Sequence, residues 1–413
     1  MDENLDTIRR ELKKYSQEHL LNEYERLDGV KQKQLLNQIE NIDFEMINSL
    51  YRNTKNGFDT KDSQITPIEY FDKGNLNGYY KSFQETGEQA IRAGKLAAVT
   101  MAGGQGTRLG HSGPKGTFDI GLESHKSLFE LLSDSLKEQG KKYDVTIPWF
   151  IMTSEENNDD TINFFAKNRY FGYQKDKNIF FFKQGELPMV DTEGKILIGE
   201  NGLIKEAADG HGGIYEALVK NGMTKKMREL GVEWIFIGGV DNCLVKMVDP
   251  ILMGLAIQKH VTAAGKSVVK ANPQEKVGVF CKKNGRPSVV EYTEIPKEMA
   301  EAKNENGELV YGESHILCNL FNIDAVERMG NKPLPYHSAF KKATYIDKDG
   351  NKVVPDGPNA YKFEAFLFDA FGELDDMAIL RVNREEEFAP VKNAAGVDSP
   401  ETARELYRKF YKL

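Results

Sequence analysis

The sequence contains little cysteine, and this limits the chemistry open to it. Only three of 413 residues are cysteines, Cys243, Cys281 and Cys318. Three thiols cannot pair completely and their spacing matches no metal-binding pattern, which favours a reducing compartment. Cys243 follows Asp241 closely enough to suggest a nucleophile, but we interpret it as a small apolar filler at a strand end.

Long apolar runs, a basic amino terminus and an excess of positive charge are also absent. No stretch approaches the length of a membrane span. The first residues include Asp2, Glu3 and Asp6 and lack the basic start and apolar core of a signal peptide, so we expect a cytoplasmic protein. A net charge of -8 argues against general nucleic-acid binding, so any nucleotide must be held by a local site.

The most informative segment is a glycine-rich loop that runs from Met101 to Gly110 and continues to Pro114-Lys115-Gly116. It follows an apolar, strand-like run, Leu96 to Thr100, at the kind of sheet edge where α/β proteins hold ligands. Glycines can present backbone N–H groups to phosphate oxygens, and Arg108 and Lys115 add positive charge. The loop therefore predicts a nucleotide site, with a simple tight turn as the alternative.

Two common phosphate loops are excluded by spacing. The dinucleotide pattern G-x-G-x-x-G fails because Gly104, Gly106 and Gly110 are spaced one residue too wide. This argues against a nicotinamide-dependent oxidoreductase. The only Gly-Lys-Ser, at Gly265, has His260 where a Walker A loop needs its leading glycine.

The length predicts two or three domains, and the hydrophobic pattern changes along the chain. Before about residue 90, apolar residues recur at helical spacing among charged ones, which indicates amphipathic helices that pack on the rest of the protein or, as a second possibility, form a dimer interface. From Leu96 onward, strand and helix patterns alternate and predict a mostly parallel sheet flanked by helices. Val277–Cys281 and Ser288–Tyr292 predict a hairpin added to this sheet. The predicted strands and helical face are Leu96–Thr100, Trp149–Thr153, Trp234–Val240, and Leu128, Leu131, Leu132 and Leu136; the N-terminal helical positions are Leu12, Tyr15, Leu20, Tyr24, Leu27, Leu35, Leu36 and Ile39.

The loop Gly103-Gly104-Gln105-Gly106-Thr107-Arg108-Leu109-Gly110 with Pro114-Lys115-Gly116 resembles that of the UDP-sugar pyrophosphorylase family. Further segments match the family in order, and the overall match is nearest to the branch that acts on N-acetylhexosamines. These segments are Trp149–Ser154, Phe181–Gly185, Asp209–Tyr215, Val240–Asn242, Val290–Tyr292 and Phe388–Asn393.

The resemblance implies an α/β fold with a Rossmann-like, GT-A-like nucleotidyltransferase mixed sheet and flanking helices. It divides the chain into an N-terminal helical domain (1–90), a central nucleotide-sugar-binding domain (91–330) and a small C-terminal α+β region (331–413). It also implies a uridylyltransferase that joins UTP to N-acetylglucosamine 1-phosphate and releases pyrophosphate, with a glucose-1-phosphate or broad-specificity enzyme as the alternative. A UDP-sugar sensor without turnover is the non-enzyme alternative.

Site residues follow from the same resemblance. Asp241 would bind Mg²⁺, which a single carboxylate and substrate phosphates can hold; a helix cap or a solvated strand end explains this residue alone equally well. Arg108, Lys115 and Lys392 would be catalytic. The nucleotide would contact Met101, Ala102, Gly103, Gly104, Lys115, Gln184, Gly210, Asp241 and Lys362, and the sugar would contact His211, Glu291, Tyr292, His315 and Lys392.

Two histidines depart from the family pattern and bear on sugar choice. His211 and His315 stand where the N-acetylglucosamine enzymes have asparagines. Imidazole can replace an amide as a hydrogen-bond partner, but its shape and protonation differ. Because the overall match favours the N-acetylhexosamine branch, N-acetylglucosamine 1-phosphate is the first choice of substrate, with glucose 1-phosphate second and galactose forms third. The sequence allows a monomer or a dimer, and the dimer is the less favoured of the two.

Overall fold

The computed structural model describes residues 2–56 and 63–413. Its α-helices are α1 (Asp2–Lys14), α2 (Gly29–Asn41), α3 (Phe44–Asn56), α4 (Tyr79–Arg92), α5 (Leu128–Tyr143), α6 (Asn158–Lys167), α7 (Ile214–Lys220), α8 (Met223–Glu229), α9 (Pro250–Gln258), α10 (Lys297–Glu301), α11 (Ile323–Gly330), α12 (Arg384–Glu387) and α13 (Pro400–Tyr411). Its β-strands are β1 (Ile65–Pro67), β2 (Phe71–Asp72), β3 (Leu96–Met101), β4 (Trp149–Thr153), β5 (Ile179–Lys183), β6 (Glu186–Pro188), β7 (Val190–Asp191), β8 (Glu206–Ala208), β9 (Trp234–Gly239), β10 (Ala263–Val269), β11 (Val279–Lys283), β12 (Arg286–Val290), β13 (Glu313–Asn322), β14 (His337–Lys341), β15 (Tyr345–Ile346), β16 (Lys352–Val353), β17 (Ala360–Glu364) and β18 (Ala378–Arg381).

The main sheet has eleven strands and follows the order β2-β18-β10-β13-β9-β3-β4-β5, with β11 joined to β13, β1 and β12. Strands β9, β3, β4 and β5 are parallel to one another, whereas β13 is antiparallel to both β9 and β10. The predicted mixed α/β sheet is confirmed, with its parallel half centred on β3.

The core of the parallel half explains why these segments become strands. Every residue of β3 and β4 is buried, as expected for strands covered by helices on both faces. Helix α5 buries Leu128, Leu131, Leu132 and Leu136, and its first turn is capped by the Ser127 side chain, which accepts from the N–H of Glu130. The strands and the helical face predicted here are confirmed.

The predicted hairpin is present, with different strand ends. Strands β11 and β12 pair antiparallel, and only Asn284 and Gly285 lie between the last pair, Lys283 and Arg286. Both loop residues have positive φ, 52° and 80°, as two-residue hairpin turns require. Because the turn is this short, the strands continue through charged residues that the apolar pattern assigned to the loop.

The chain forms two compact units. The first contains 1–62, 185–212 and 334–366, and the second contains 63–184, 213–333 and 367–413. The first unit has its own apolar core, which explains how separate segments fold together. Its buried members from different segments include Leu12, Leu20, Leu35, Ile39, Val190, Ile198 and Phe363. The grouping differs from the linear division at residues 90 and 330, which stays a prediction.

Two further expectations concern single features. The thiols of Cys243, Cys281 and Cys318 are buried and unpaired, so the interpretation of Cys243 as an apolar filler holds. Burial raises the pKa of Cys243 to about 12, which keeps the thiol protonated and a poor nucleophile. Among residues 2–56 and 63–413, no helix combines the length and the apolar character that crossing a membrane requires.

Candidate active site

The glycine loop begins where β3 ends and is closed by its own backbone. The N–H of Ala102 donates to the carbonyl of Met152 on β4, over 2.8 Å, and so extends the sheet by one residue. Further on, the N–H of Lys115 donates to the carbonyl of Gly104 over 3.0 Å. The loop therefore returns to its starting point and brings Lys115 back to the end of β3.

A buried asparagine that we did not single out from the sequence holds this loop in place. The Asn157 amide donates to the carbonyl of Ala102 over 2.9 Å and to that of Gly104 over 3.3 Å. Its oxygen accepts from the N–H of Ser154 over 2.9 Å. Asn157 is fully buried. The available signal was its position, four residues after the apolar strand β4 and directly before α6.

Gln184 lies directly against the glycine loop. A Cβ added at Gly103 would come within 2.5 Å of the Gln184 amide oxygen, so a larger residue there would displace this amide. The N–H of Gln184 donates to the carbonyl of Thr153, over 2.8 Å, which places the residue just beyond the end of β5. Two predicted nucleotide contacts, Gly103 and Gln184, are thus brought together.

Asp241 and Lys115 meet at the same edge of the sheet. Strand β9 runs parallel to β3, and the N–H of Val240 donates to the carbonyl of Met101 over 3.1 Å. Asp241 follows, and its Oδ2 lies 3.2 Å from Lys115 Nζ, with the two side chains 26% and 17% exposed. Arg108 lies exposed on a short 3-10 turn of the loop, Thr107–Leu109. The edge thus presents an anion, Asp241, and a cation, Lys115, and Arg108 adds a second, exposed cation on the loop.

Backbone pairing fastens a C-terminal segment to the Asp241 turn. The N–H of Val391 donates to the carbonyl of Asp241 over 2.9 Å. The neighbouring Asn242 is buried; its amide donates to the carbonyl of Glu387 over 2.7 Å, and its oxygen accepts from the N–H of Ala389 over 2.9 Å. Asn242 is a second positioning residue whose role was not predicted.

Lys392 follows this fastened segment. Its backbone N–H donates to the carbonyl of Asp398 over 2.6 Å, and its Nζ lies 3.8 Å from Asp398 Oδ2. Its side chain is 46% exposed. The predicted lysine is therefore held at its main chain, while its side chain is partly exposed.

The donor set at Asp241 fits magnesium only with help from a substrate. Within residues 2–56 and 63–413, no group of three or more His, Cys, Asp or Glu side chains could hold a metal ion. Asp241 supplies one partly exposed carboxylate at a strand end. Mg²⁺ is commonly bound by one or two carboxylates together with water and substrate phosphates, so the residues present fit that mode.

Two predicted sugar residues lie around one glycine. Gly278 accepts at its carbonyl from the N–H of His315 over 2.9 Å, and Glu291 Oε1 would lie 3.1 Å from a Cβ placed at Gly278. Glu291 is half-buried, whereas Tyr292 is exposed. The structure thus places the Glu291 carboxylate and the backbone of His315 beside the same glycine.

The imidazole of His315 has core surroundings. It is 9% exposed, and its Nε2 lies 3.3 Å from Asn319 Oδ1. The rings of Phe280, Phe368 and Phe371 meet it nearly at right angles, with centroids 5.0 to 5.8 Å away. A sugar-binding role for this residue stays a prediction.

Gly210, His211 and Lys362 belong to the first compact unit. Gly210 has φ of 89°, and an added side chain would come within 2.4 Å of the Ala365 carbonyl, so a glycine is required. The His211 ring lies 5.5 Å from that of Phe366. Lys362 Nζ lies 2.7 Å from Glu364 Oε1 on the same strand, β17.

The amino-acid sequence is similar to those of known proteins. Residues 43–397 match the family described as UTP--glucose-1-phosphate uridylyltransferase (UDPGP). The chain is 38% identical to UDP-N-acetylglucosamine diphosphorylase 2 of Arabidopsis thaliana, over 97% of this chain and 82% of that protein. It is 36% identical to the UDP-N-acetylglucosamine pyrophosphorylase of Saccharomyces cerevisiae, over 97% of this chain and 85% of that protein.

A solved structure agrees with these relatives. The crystal structure of the uridine diphosphate N-acetylglucosamine pyrophosphorylase from Trypanosoma brucei, in complex with an inhibitor, superposes with a TM-score of 0.83 at 31% identity. The match covers 98% of this chain and 84% of that one. The resemblance noted in the sequence is confirmed: the chain belongs to the UTP--glucose-1-phosphate uridylyltransferase family.

Proposed function

We propose that this protein is a uridylyltransferase that joins UTP to N-acetylglucosamine 1-phosphate and releases pyrophosphate. The supporting observation is that the glycine loop, Lys115 and Asp241 meet at one sheet edge in a chain that aligns over 97% of its length with UDP-N-acetylglucosamine pyrophosphorylases. Strand ends of this kind are where α/β sheets hold nucleotides.

The reaction needs no covalent intermediate with the protein. An oxygen of the sugar phosphate attacks the α-phosphorus of UTP, a new P–O bond forms, and the bond to the departing pyrophosphate breaks. Negative charge gathers on the pyrophosphate as that bond breaks. Positioning and charge neutralisation then supply most of the acceleration.

The cationic side chains of the site suit this task. Lys115 and Arg108 would neutralise charge on the departing pyrophosphate, and Lys392 and Lys362 would hold phosphates of the sugar and nucleotide. Asp241 would hold Mg²⁺, which when bound neutralises phosphate charge. Asp241 Oδ2 and Lys115 Nζ lie only 3.2 Å apart, so the carboxylate that would hold the cation stands beside the ammonium group that would neutralise phosphate charge.

The remaining site residues would recognise the base and the sugar. The Gln184 amide can both donate to and accept from a pyrimidine edge, and the glycines beside it allow a base to approach closely. The Glu291 carboxylate can accept from sugar hydroxyls. Base contacts are assigned to Met101, Ala102, Gly103, Gly104, Gln184 and Gly210, and sugar contacts to His211, Glu291, Tyr292 and His315.

The two histidines favour a second candidate substrate, glucose 1-phosphate. His211 stands where an asparagine is expected in the N-acetylglucosamine enzymes, and His315 is surrounded by phenylalanine rings. A change at either position alters the shape and the hydrogen-bonding groups offered to the sugar. The relatives' identities over nearly the whole chain favour N-acetylglucosamine as the first choice.

We also propose that the protein works in the cytoplasm. Its three cysteines are buried and unpaired, which is the usual state of thiols in a reducing compartment.

Pyrophosphate release from UTP and Mg²⁺ tests the function directly. The panel is N-acetylglucosamine, N-acetylgalactosamine, glucose and galactose 1-phosphates, each with and without protein. We expect N-acetylglucosamine 1-phosphate to give the highest kcat/KM. A higher value with glucose 1-phosphate would make that the substrate.

A UDP-sugar sensor would behave differently in the same assay. It would release no pyrophosphate with any sugar of the panel, yet would bind UDP-sugar in a titration calorimeter. That combination would overturn the enzyme proposal.

A further inference from the structure

Four charged side chains form a buried cluster, the buried quartet, near the start of the segment that carries Lys392. Lys266 Nζ lies 2.8 Å from Asp249 Oδ2 and 2.5 Å from Glu387 Oε2. Lys73 Nζ lies 2.8 Å from Asp249 Oδ2 and 2.8 Å from Glu387 Oε1. Exposure is 1% for Lys266, 3% for Asp249, 2% for Glu387 and 24% for Lys73.

All four members of the quartet carry charge at neutral pH. Burial alone would lower the pKa of Lys73 and of Lys266, but the neighbouring carboxylates outweigh it and raise both. Burial alone would raise the pKa of Asp249 and of Glu387, but the lysines outweigh it and lower both. Within the quartet two positive charges balance two negative charges, and the partly exposed Lys246 adds a further positive charge, with its Nζ 3.6 Å from Glu387 Oε1. Removal of one buried member upsets this balance in a site that water does not reach.

The quartet is joined to the active-site edge through Glu387. The Glu387 side chain contacts the lysines, while its backbone carbonyl accepts from the Asn242 amide. Asn242 also accepts from the N–H of Ala389, and the N–H of Val391 donates to the carbonyl of Asp241. Residues 387–391, which directly precede Lys392, are therefore held by the ion pairs of the Glu387 side chain and by hydrogen bonds along their backbone.

We infer that the buried quartet positions Lys392 at the active-site edge by fixing the start of segment 387–392, an inference that rests on the proposed function of Lys392 as a phosphate-binding residue. Lys266 and Glu387 are positioning residues because they act through the backbone that carries Lys392. Buried ion pairs seldom stabilise more than apolar side chains of the same volume would, so holding a geometry is the better explanation of the cluster. Misplacement of a reacting group by 1 Å can cost about 100-fold in rate.

The test compares a charge-balanced double variant with a matched control. Lys266→Met with Glu387→Gln removes one charge of each sign and leaves Lys73 paired with Asp249. The control, Arg381→Met with Glu313→Gln, removes another buried ion pair of the same sheet, between β18 and β13. Stability is measured by urea unfolding, turnover by pyrophosphate release, and backbone protection by hydrogen exchange at Ala389 and Val391.

For the quartet variant we expect kcat to fall at least about tenfold at a temperature where it is fully folded, with KM for UTP changed less than about threefold. The amides of Ala389 and Val391 should exchange at least tenfold faster than in the wild type. The control should keep kcat within about twofold and leave those two amides protected. Equal loss of kcat in the control would overturn the inference.

A conservative substitution guards against a double variant that does not fold. Glu387→Asp keeps the charge balance and retracts the carboxylate by one methylene, so we expect a smaller fall in kcat and faster exchange at the same amides. Unchanged exchange in this folded variant would overturn the inference. Hydrogen exchange uses no substrate, so this result stands apart from pyrophosphate release by the wild type, which tests the proposed function itself.

Discussion

One ammonium group and one carboxylate share the edge of the main sheet, and the proposed reaction gives them different tasks. Lys115 would neutralise the negative charge that develops on the departing pyrophosphate, while Asp241 would bind the metal that accompanies the nucleotide. Their separation of 3.2 Å allows an ion pair that holds both side chains at the sheet edge. Substitution of each residue should therefore affect a different property of the enzyme.

Lys115→Ala should lower kcat for pyrophosphate release about 10²–10³-fold, because it removes a charge that acts where charge develops in the transition state. The requirement for Mg²⁺ should remain. Lys137→Ala serves as the control, since Lys137 is a half-exposed lysine on α5 that pairs with Asp134. Near-normal kcat in Lys115→Ala would refute the role of this lysine.

Asp241→Asn should weaken the response to Mg²⁺, because an amide oxygen carries no charge to offset the cation. We expect the Mg²⁺ concentration for half-maximal rate to rise at least about tenfold, measured at saturating UTP. Glu155→Gln removes an exposed carboxylate and should leave that concentration unchanged. An unaltered Mg²⁺ titration for Asp241→Asn would argue that the metal is held elsewhere.

Single residues could be singled out from the sequence when they belong to short motifs. Residues whose partners lie far away along the chain could not. Lys115 and Asp241 stood out because the first follows a glycine loop and the second ends a strongly apolar run. Asn157 and Asn242 contact carbonyls 55 and 145 positions away. An amide carries no signal for such a partner until the fold is known.

Among the elements, the glycine loop depends on a side chain outside itself. Asn157→Ala removes the donor to the carbonyls of Ala102 and Gly104, and should lower the free energy of unfolding by about 1–3 kcal/mol. KM for UTP should rise, because the loop no longer keeps one conformation. Asn168→Ala, at the other end of α6, removes an exposed bond only and should alter KM little. Equal KM values for both variants would show that Asn157 has no role in the loop.

The buried quartet connects the N-cap of α9 with β10 and α12, and it predicts how the free energy of unfolding depends on pH. Because the pKa values of Asp249 and Glu387 are lowered in the folded protein, their contribution to stability is present above about pH 4 and is lost as pH falls through the lowered values. Glu387→Gln should therefore make the acid loss of the unfolding free energy shallower, by about 1.4 kcal/mol for each unit by which that pKa is lowered. Urea unfolding from pH 7 to pH 2 measures it. An equally steep loss in the variant would assign the acid sensitivity to other groups.

The strands of the main sheet differ in how well the pattern of apolar residues predicts them. Strand β4 was located to the residue because all five of its side chains are buried and the first four are apolar. Strand β13 was not, although it crosses the sheet, because it buries Glu313, Ser314 and His315. Glu313 is tolerated there since Arg381 pairs with it from β18. Leu317, with φ of 55°, also interrupts the alternation that a strand normally shows.

At the scale of the whole molecule, we predict how the first compact unit responds to the loss of one core side chain. Leu35 is fully buried in a core shared by α2 with segments 185–212 and 334–366, so Leu35→Ala should cost about 2–5 kcal/mol of unfolding free energy. Hydrogen exchange should rise in all three segments together and stay unchanged in β3 and β9. Leu136→Ala, in the core of the second unit, should show the opposite distribution. Exchange that rises only before residue 90 would favour the linear division of the chain.

The fold class was accessible from the sequence because strand and helix patterns alternate clearly after Leu96. The sequence did not reveal which segments make up the first unit. The apolar faces of α1 and α2 indicate that these helices pack against something, but not against which part of the chain. Val190 and Phe363 complete that core from segments that the sequence pattern grouped with other parts of the protein.

The separation of these segments in the chain has a consequence for synthesis on the ribosome. The first helices leave the exit tunnel long before Phe363, which shares their core, has been translated. At about 5–20 residues per second, the apolar faces of α1 and α2 wait roughly 20–70 seconds for that partner. These two helices are thus translated well before their core can be completed, and during that interval a chaperone would find its binding site on their apolar faces.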